Sequence, residues 1–443
     1  MKNLRNLLIL LVVSCLFLSA CGTGNAPTEP QGTTVPATEQ MELVDYAAEL
    51  KLNMSSPTVK TEATVKNYVD GDTVHFYVSS DTFHGRVLEA RFLAINTPES
   101  TGKIEEYGKA ASLFTKEKLS NATSIILESE SETWNVDSTG GRYLVWVWYK
   151  TDADSDYRNL NVEILQNGLS RANSSGGNQY GSVCTNAINQ AQKAKLNLYS
   201  GEKDPLFYYG EAISLSLREL RTNIEDYSNM KVAFDGLVTI NSGSQGVYVE
   251  DYDDETGMNY GIFIYYGHNL SGGGLDILSI GNRVRVVGTV QYYQAGGTWQ
   301  IAGVEYRMMR PDDPDNLKKF SEGNPVTYHL TDADTFVNGV VSVEREEGTV
   351  DLPYCEMALG TAIEMKGLKV LEITSTESAM DMTCECDGQT VYVRAGVFKD
   401  EAGQPIPEDA YLGKTIDVKG AVDAFDGQYQ IKVFNAKNIT IIE

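Results

Sequence analysis

Strand-like and helix-like patterns of apolar and polar positions follow one another along this chain. Residues 61–69 and 73–78 alternate in the manner of half-buried strands and flank Asp70-Gly71, a pair suited to a tight hairpin turn. Residues 86–95 (RVLEARFLAI) extend the strand pattern. The period then changes: Tyr107, Ala110, Ala111 and Phe114 fall at i, i+3, i+4 and i+7, one face of a helix. LVWVWY at 144–149, preceded by Gly140-Gly141, predicts another strand. Val162, Leu165 and Leu169 predict a second helix, and Val183, Ala187, Ala191, Ala194 and Leu198 a third. Residues 59–203 therefore read as a small β-sheet or barrel with about three helices.

From about residue 206 the pattern is strand-rich, broken by turn signals, and it repeats itself. GNRVRVVGTVQYYQAGGTWQI (281–301) matches GKTIDVKGAVDAFDGQYQI (413–431): a Gly, a Gly-x-Val seven positions on, a turn containing Gly, then aromatic-Gln-Ile. Two copies of one β-unit imply two related small β-domains. Units of this kind resemble OB-fold barrels, in which a Gly lets a strand bend around the barrel corner. The expected fold class is mainly β: an α+β domain built on a five-stranded OB-like barrel with three helices, followed by two further OB-like barrels.

The first residues follow a different logic. Lys2 and Arg5 precede an apolar run at 7–18 that is short for a membrane span. It ends in Leu18-Ser19-Ala20-Cys21, which resembles a bacterial lipobox with Cys21 as lipid acceptor. Residues 22–58 are rich in Gly, Thr, Pro and Glu, a composition suited to a disordered tether. The expected layout is a signal peptide at 1–20, a tether at 21–58, and domains at 59–203, 206–320 and 325–443. The mature chain is expected to be a monomer held at the extracytoplasmic face of the cell membrane by its lipid.

Charge changes the picture for the second half. Of the net −25, residues 204–443 carry −20, from 18 basic and 38 acidic side chains. That argues against a broad electrostatic grip on nucleic acid there, because phosphate contacts need Lys and Arg. Six cysteines include Cys15 in the leader and Cys21. Of the others, Cys184, Cys355, Cys384 and Cys386, none has zinc-site spacing, a disulfide is open outside the cell, and the closely spaced Cys384 and Cys386 are not expected to pair with each other.

Candidate chemistry gathers at strand ends of the first domain. In YVDGDTVHFYV (68–78) the turn needs only Asp70-Gly71, so Asp72 is a surplus carboxylate at the start of a strand, where Asp is disfavoured. Arg91, Asn96, Thr97, Glu99 and Arg142 join it. Carboxylate and amide oxygens suit Ca²⁺. Two arginines offer forks for a phosphate. Glu99 beyond a Thr-Pro turn can orient or deprotonate a water. These are the parts that phosphodiester hydrolysis needs.

In order, Val69-Asp70-Gly71-Asp72-Thr73, Arg91 to Glu99 (RFLAINTPE), EYGKAASLFTKEKL (106–119), Gly141-Arg142-Tyr143-Leu144 and Asn161 to Leu169 resemble the motifs of the thermonuclease (staphylococcal nuclease-like) family, over residues 59–203. The resemblance implies that Asp72, Asn96 and the Thr97 carbonyl hold Ca²⁺. It makes Glu99 the general base, and Arg91 and Arg142 the cations that neutralise the phosphorane, with Arg142 also assisting the leaving oxygen. The implied reaction is Ca²⁺-dependent cleavage of the P–O5′ bond of DNA or RNA, leaving a 3′-phosphate. Three positions depart from the pattern. Asn96 stands where the family usually has Asp, which implies weaker Ca²⁺ affinity. Thr139-Gly140 replaces a Lys-Tyr pair, and Asn173 to Gly176 lacks the pocket tyrosines. The alternative reading is a surface nucleic-acid- or protein-binding lipoprotein whose nuclease-like domain has little or no turnover.

Other features read as structural. His75 and His84 have no motif partner, Glu105-Glu106 suits a helix start, and EDYDDETG (250–257) lacks EF-hand spacing and reads as an acidic loop. Tyr248, Tyr260, Tyr265, Tyr292, Tyr293 and Trp299 could form a stacking platform for single strands. They are equally ordinary strand residues, so the ligand of the later domains stays open between nucleic acid and a spacer or protein-contact role.

Overall fold

The computed structural model describes residues 42–443, apart from short stretches at 80–82, 84–85, 174, 244, 269, 295, 346–347, 377–378, 400–402 and 443. The expected leader, the lipid-acceptor Cys21, the first part of the tether and His84 lie outside the described residues.

Three five-stranded barrels follow one another. The first uses Lys60–Tyr68, Thr73–Val78, Val87–Phe92, Ser124–Glu128 and Tyr143–Lys150. The second uses Lys231–Asn241, Gly246–Asp253, Met258–Tyr265, Arg283–Tyr293 and Thr298–Ala302. The third uses Ala362–Ser375, Ala379–Cys386, Gln389–Gly396, Thr415–Phe425 and Gln428–Val433. Each closes in the same order: first beside second, second beside third, third beside fifth, fifth beside fourth, and fourth back against first. The third and fifth strands run parallel in all three. This is OB topology, three times over.

The repeat at 281–301 and 413–431 forms the fourth and fifth strands of the second and third barrels. A Cβ at Gly288 would come within 2.4 Å of the Ile301 side chain and 2.8 Å of the Ala302 carbonyl. One at Gly420 would come within 2.9 Å of Ile431 and 2.5 Å of the Lys432 carbonyl. Each Gly thus admits the backbone of the fifth strand, the close approach for which strands use glycine.

The first domain carries three longer helices, Gly108–Ser120, Leu160–Gln166 and Gly181–Lys193. Its elements differ from the sequence expectation in several places, among them Tyr107, which takes φ 64° just before the first helix, and Leu169, which lies beyond the end of the second. The third strand ends at Phe92, because Ala94 takes φ +66° and turns the chain; Ile95–Asn96 then pairs with Arg171–Ala172 instead. The strand Ser124–Glu128 has no alternating pattern, since it is buried on both faces. The last helix ends at Lys193, with Lys195 at φ 53° and Asn197 at φ 43° releasing the predicted Leu198 from it.

Residues 43–58, expected as tether, belong partly to this domain. Tyr46–Glu49 is a helix capped by Asp45, and Ala47 is fully buried. Arg158 grips the Asp45 carboxylate through Nη1 and Nη2 at 2.8 and 2.9 Å, while Gln190 holds both the N–H and the carbonyl of Val44 at 2.8 Å. Composition suggested disorder, but these specific polar contacts hold the segment.

The barrels touch one another. Ile240 and Tyr248 of the second pack with Ala362 and Ala421 of the third, and Glu250 Oε2 accepts a hydrogen bond from the Ala362 N–H at 2.6 Å. Of the expected tyrosine platform, Tyr260 and Tyr248 are interior, whereas Tyr292 and Tyr293 stay exposed.

Candidate active site

The site grows from the turn between the first two strands. Val69 and Asp70 both donate their N–H to the Thr73 carbonyl, at 3.1 and 2.9 Å. A Cβ on Gly71 would lie 2.9 Å from Ala111 Cβ and from Thr97 Oγ1, so only glycine lets the first long helix lie over the turn. Thr115 on that helix donates to the Gly71 carbonyl at 2.6 Å. The turn is clamped from above.

Asp72 is 1 % exposed. Its Oδ2 accepts the Thr97 N–H at 2.8 Å, and its Oδ1 accepts the Thr73 hydroxyl at 3.1 Å and pairs with the Arg91 guanidinium. Arg91 Nη2 donates to Asn96 Oδ1 at 2.6 Å. Asn96 is oriented in turn by its N–H donating to Ser170 Oγ at 2.8 Å. The left-handed Ala94 makes this convergence possible, because it lifts Asn96 and Thr97 off the barrel wall and over Asp72. Thr97 Oγ1 is buried without a hydrogen-bond partner.

Asp70 is also buried, and it is more than the turn residue its sequence suggests. Its carboxylate accepts from Ser100 Oγ at 2.7 Å, from the Gly71 N–H at 2.8 Å and from the Ser100 N–H at 3.3 Å. Burial pushes the Asp70 carboxyl up to about 7; the Ser100 hydrogen bond opposes this, and a hydrogen bond and like charge from Glu99 add to it. Glu99 itself is solvent-exposed, in a loop pinned by its carbonyl accepting the Glu105 N–H at 2.9 Å. A Cβ on Gly108 would meet that carbonyl at 2.2 Å, so the helix start must be glycine.

Arg142 stands at the rim, where Asp137 Oδ2 takes its Nε at 2.7 Å and its Nη2 at 2.6 Å. It is near enough to Arg91 that, after burial, it is the second cause lowering the Arg91 pKa from its ordinary value, with Glu99, Asp70 and Asp137 opposing. The fold therefore brings Asp72, Arg91, Asn96 and Thr97 into direct contact, sets Glu99 against Asp70 and within electrostatic reach of Arg91, and leaves Arg142 bonded to Asp137. Sequence reasoning missed Asp70, Ser100, Thr115 and Asp137 as site residues. It also missed the structural role of Asn161, whose side chain bonds Val147 N–H and the Leu93 and Val145 carbonyls at 2.9–3.0 Å. Only the spacing of Asp137 and Arg142 within one loop offered a hint.

Among the described residues no cluster of three or more His, Cys, Asp and Glu is arranged to hold a metal. The oxygens nevertheless fit a hard cation. Asp72 and Asn96 converge on one cationic group, the Arg91 guanidinium, and Thr97 follows directly in the chain. All three donors are oxygens, as Ca²⁺ prefers, although only one of them is a carboxylate.

The sequence model of the family described as staphylococcal nuclease homologue matches residues 89–201. The thermonuclease of Staphylococcus intermedius is 33% identical over 150 residues, which cover 33% of this chain and 80% of that one. The chain belongs to the staphylococcal nuclease family. The thermonuclease of Staphylococcus hyicus is 32% identical over 136 residues, 30% of this chain and 72% of its own. The staphylococcal nuclease model starts after the Asp70–Asp72 turn and ends before the second barrel, so the two later barrels are additions to the family domain.

Proposed function

We propose that this chain is a Ca²⁺-dependent nuclease that hydrolyses DNA or RNA to 3′-phosphate products, anchored at the outer face of the membrane through a lipid on Cys21. The observation that carries the reading is the buried contact of Asp72, Arg91 and Asn96 beside the Asp70–Glu99 pair. Among the described residues no helix is long and apolar enough to cross a membrane.

Asp72, Asn96 and the Thr97 carbonyl would hold Ca²⁺. When bound, Ca²⁺ supplies Lewis-acid polarisation of a phosphate oxygen. The chain's own side chains do the rest. Arg91 and Arg142 point forks at the non-bridging oxygens, and they must exchange Asp72 and Asp137 for the phosphate as it enters. Glu99 takes the proton from the attacking water as its oxygen bonds phosphorus. The P–O5′ bond breaks in line, and the departing O5′ takes a proton from a solvent water on the Arg142 side of the site, the Arg142 charge steadying it before it is protonated.

The test is cleavage of single-stranded DNA with Ca²⁺, with EGTA, and by Glu99→Gln. Removal of the general base is expected to cost about 10²–10⁴-fold, and EGTA is expected to abolish cleavage. Equal activity in all three samples overturns the proposal. A second reading, a binding protein with little turnover, is favoured by one observation: an amide at Asn96 satisfies Arg91 where a second carboxylate would draw a cation more strongly. Asn96→Asp separates the two readings. Cleavage by that variant with none by the parent chain supports the second.

A further inference from the structure

All three barrels turn the same kind of surface toward one cleft of about 750 Å³. The first barrel contributes Tyr68 and Val69 at its first turn, with Lys109 and Lys116 from the helix above. The second contributes the turn after its first strand (Ser242, Gln245) and the turn between its fourth and fifth strands (Tyr293, Gln294). The third adds Phe425 from the equivalent fourth-to-fifth turn. Those two fourth-to-fifth turns touch, the Asp426 N–H donating to the Gly296 carbonyl at 3.2 Å. These turns are the loops through which OB barrels grip extended chains.

The chemistry of the cleft is unlike that of the rest of the chain. Within a molecule of net charge −25, it is lined by Lys109, Lys116, Arg394 and Lys432 against the single carboxylate Asp423. Arg394 is neutralised by Asp381 and Lys432 by Asp423. Neither Lys109 nor Lys116 has a carboxylate partner among the described residues; Lys116 Nζ bonds only the amide oxygen of Gln294 at 2.5 Å and lies 5.9 Å from the Tyr68 ring centre. Burial first, and then the charge of Lys116, lower the Lys109 pKa from its ordinary value, so the two cations feel one another. Tyr292, Tyr293 and Phe425 are 44%, 46% and 50% exposed, and Trp299 braces Tyr292 edge-on at 5.0 Å. The cleft also reaches Ser100 and Thr101, the residues that follow Glu99. The second barrel grips that loop: Gln291 Nε2 donates to the Ser100 carbonyl at 2.5 Å, and the Gly303 N–H donates to the Gly102 carbonyl.

We infer that this three-barrel cleft binds single-stranded nucleic acid and leads it to the loop of Glu99, with Lys109 and Lys116 on phosphates and Tyr292, Tyr293 and Phe425 stacked on bases. The inference rests on the proposed nuclease reading for its direction, not for its binding chemistry. Unpaired cations call for an anion, and exposed flat rings call for flat partners. A single strand supplies both, whereas a duplex keeps its bases stacked inside. It also removes the objection raised by the acidic second half, because the free cations come from the first domain and the later barrels supply rings.

The test uses the full chain in EGTA, so that binding is read without cleavage. A fluorescein-labelled oligothymidylate of about 20 nucleotides is long enough to span several OB-sized sites. Its anisotropy should report binding that a matched duplex does not compete for. Tyr293→Ala and Phe425→Ala should each weaken binding by about tenfold. Lys109→Ala with Lys116→Ala should also lower the slope of log K against log salt by about 1.4. Hydrolysis of a p-nitrophenyl nucleotide diester, too short to span the cleft, should fall far less than oligonucleotide binding in Tyr293→Ala and Phe425→Ala. Unaltered anisotropy in every variant overturns the inference, as does equal competition by duplex or by polyglutamate. Loss of diester hydrolysis in Glu99→Gln with oligonucleotide binding intact separates the two proposals. A parent chain that binds but never cleaves sinks the nuclease reading and leaves the cleft standing.

Discussion

The first and second barrels share one strand order and differ in what lies at the turn after the first strand. In the first barrel that turn holds Asp70, Gly71 and Asp72 beneath a helix, and both carboxylates are buried. In the second it holds Asn241 to Gly246, with Ser242 and Gln245 facing the open cleft. The third strands part ways too. The first barrel's leaves through left-handed Ala94 and throws Asn96 and Thr97 over the turn, whereas Met258–Tyr265 of the second runs straight on to residue 265. The barrel is thus a neutral scaffold: chemistry depends on which turn buries charge and which presents rings.

Breaking the first barrel's special features should have the largest effect. Asp72→Ala removes the only carboxylate of the proposed ligand set and leaves the largely buried Arg91 without its ion pair; nuclease rate in Ca²⁺ is expected to fall by at least about 10²-fold, in line with losses of charge-stabilising groups. Retention of full rate would show that the buried carboxylates of this turn serve the fold alone. Next come the glycines that make the second and third barrels alike. Gly288→Ala and Gly420→Ala should each cost about 1–3 kcal/mol by overpacking, read from denaturant midpoints. A cost at only one of them would mean that the repeat is not structurally equivalent.

A smaller effect tests how far the first barrel depends on the second. Gln291→Ala frees the Ser100 carbonyl and should lower kcat a few-fold with only a small drop in Tm, because a side chain-to-backbone bond is worth about 1 kcal/mol. An unchanged kcat would make the two barrels independent. The smallest expected difference is in the cysteines. Cys184 of the first domain and Cys355 and Cys384 of the later part are free and buried, and burial pushes each thiol up to about 12. In native protein near pH 8 they should not react with a thiol reagent on the scale of minutes. Fast labelling of any one of them would reveal local opening around it.

Much of the architecture was legible because periodicity is local. The helical faces at 110–114 and 183–191, the hairpin at 70–71 and the Gly-x-Val repeat all follow from residues near one another in the chain. The strand at 124–128 was not, because a strand buried on both faces loses its alternation. The segment at 43–58 was misread because composition reports average solvation and misses a single bidentate grip such as that of Arg158 on Asp45. In the site, Asp72 stood out as one acid too many for a turn. Asp70 hid behind its fitness for that same turn, and its burial against Ser100 joins residues thirty apart.

The residues alone determined most of the order of elements, the repeat and a candidate set of groups for a phosphate, since each is written as short-range spacing and side-chain chemistry. Only the tertiary structure decided that Arg91 sits between Asp72 and Asn96, that Arg142 is bonded to Asp137, and that three barrels aim rings and two unpaired lysines at one cleft. Those facts depend on where distant strands close and on how much water is excluded where they do. Burial and long-range contact set the strength of every charge, and neither can be read from neighbours in the chain.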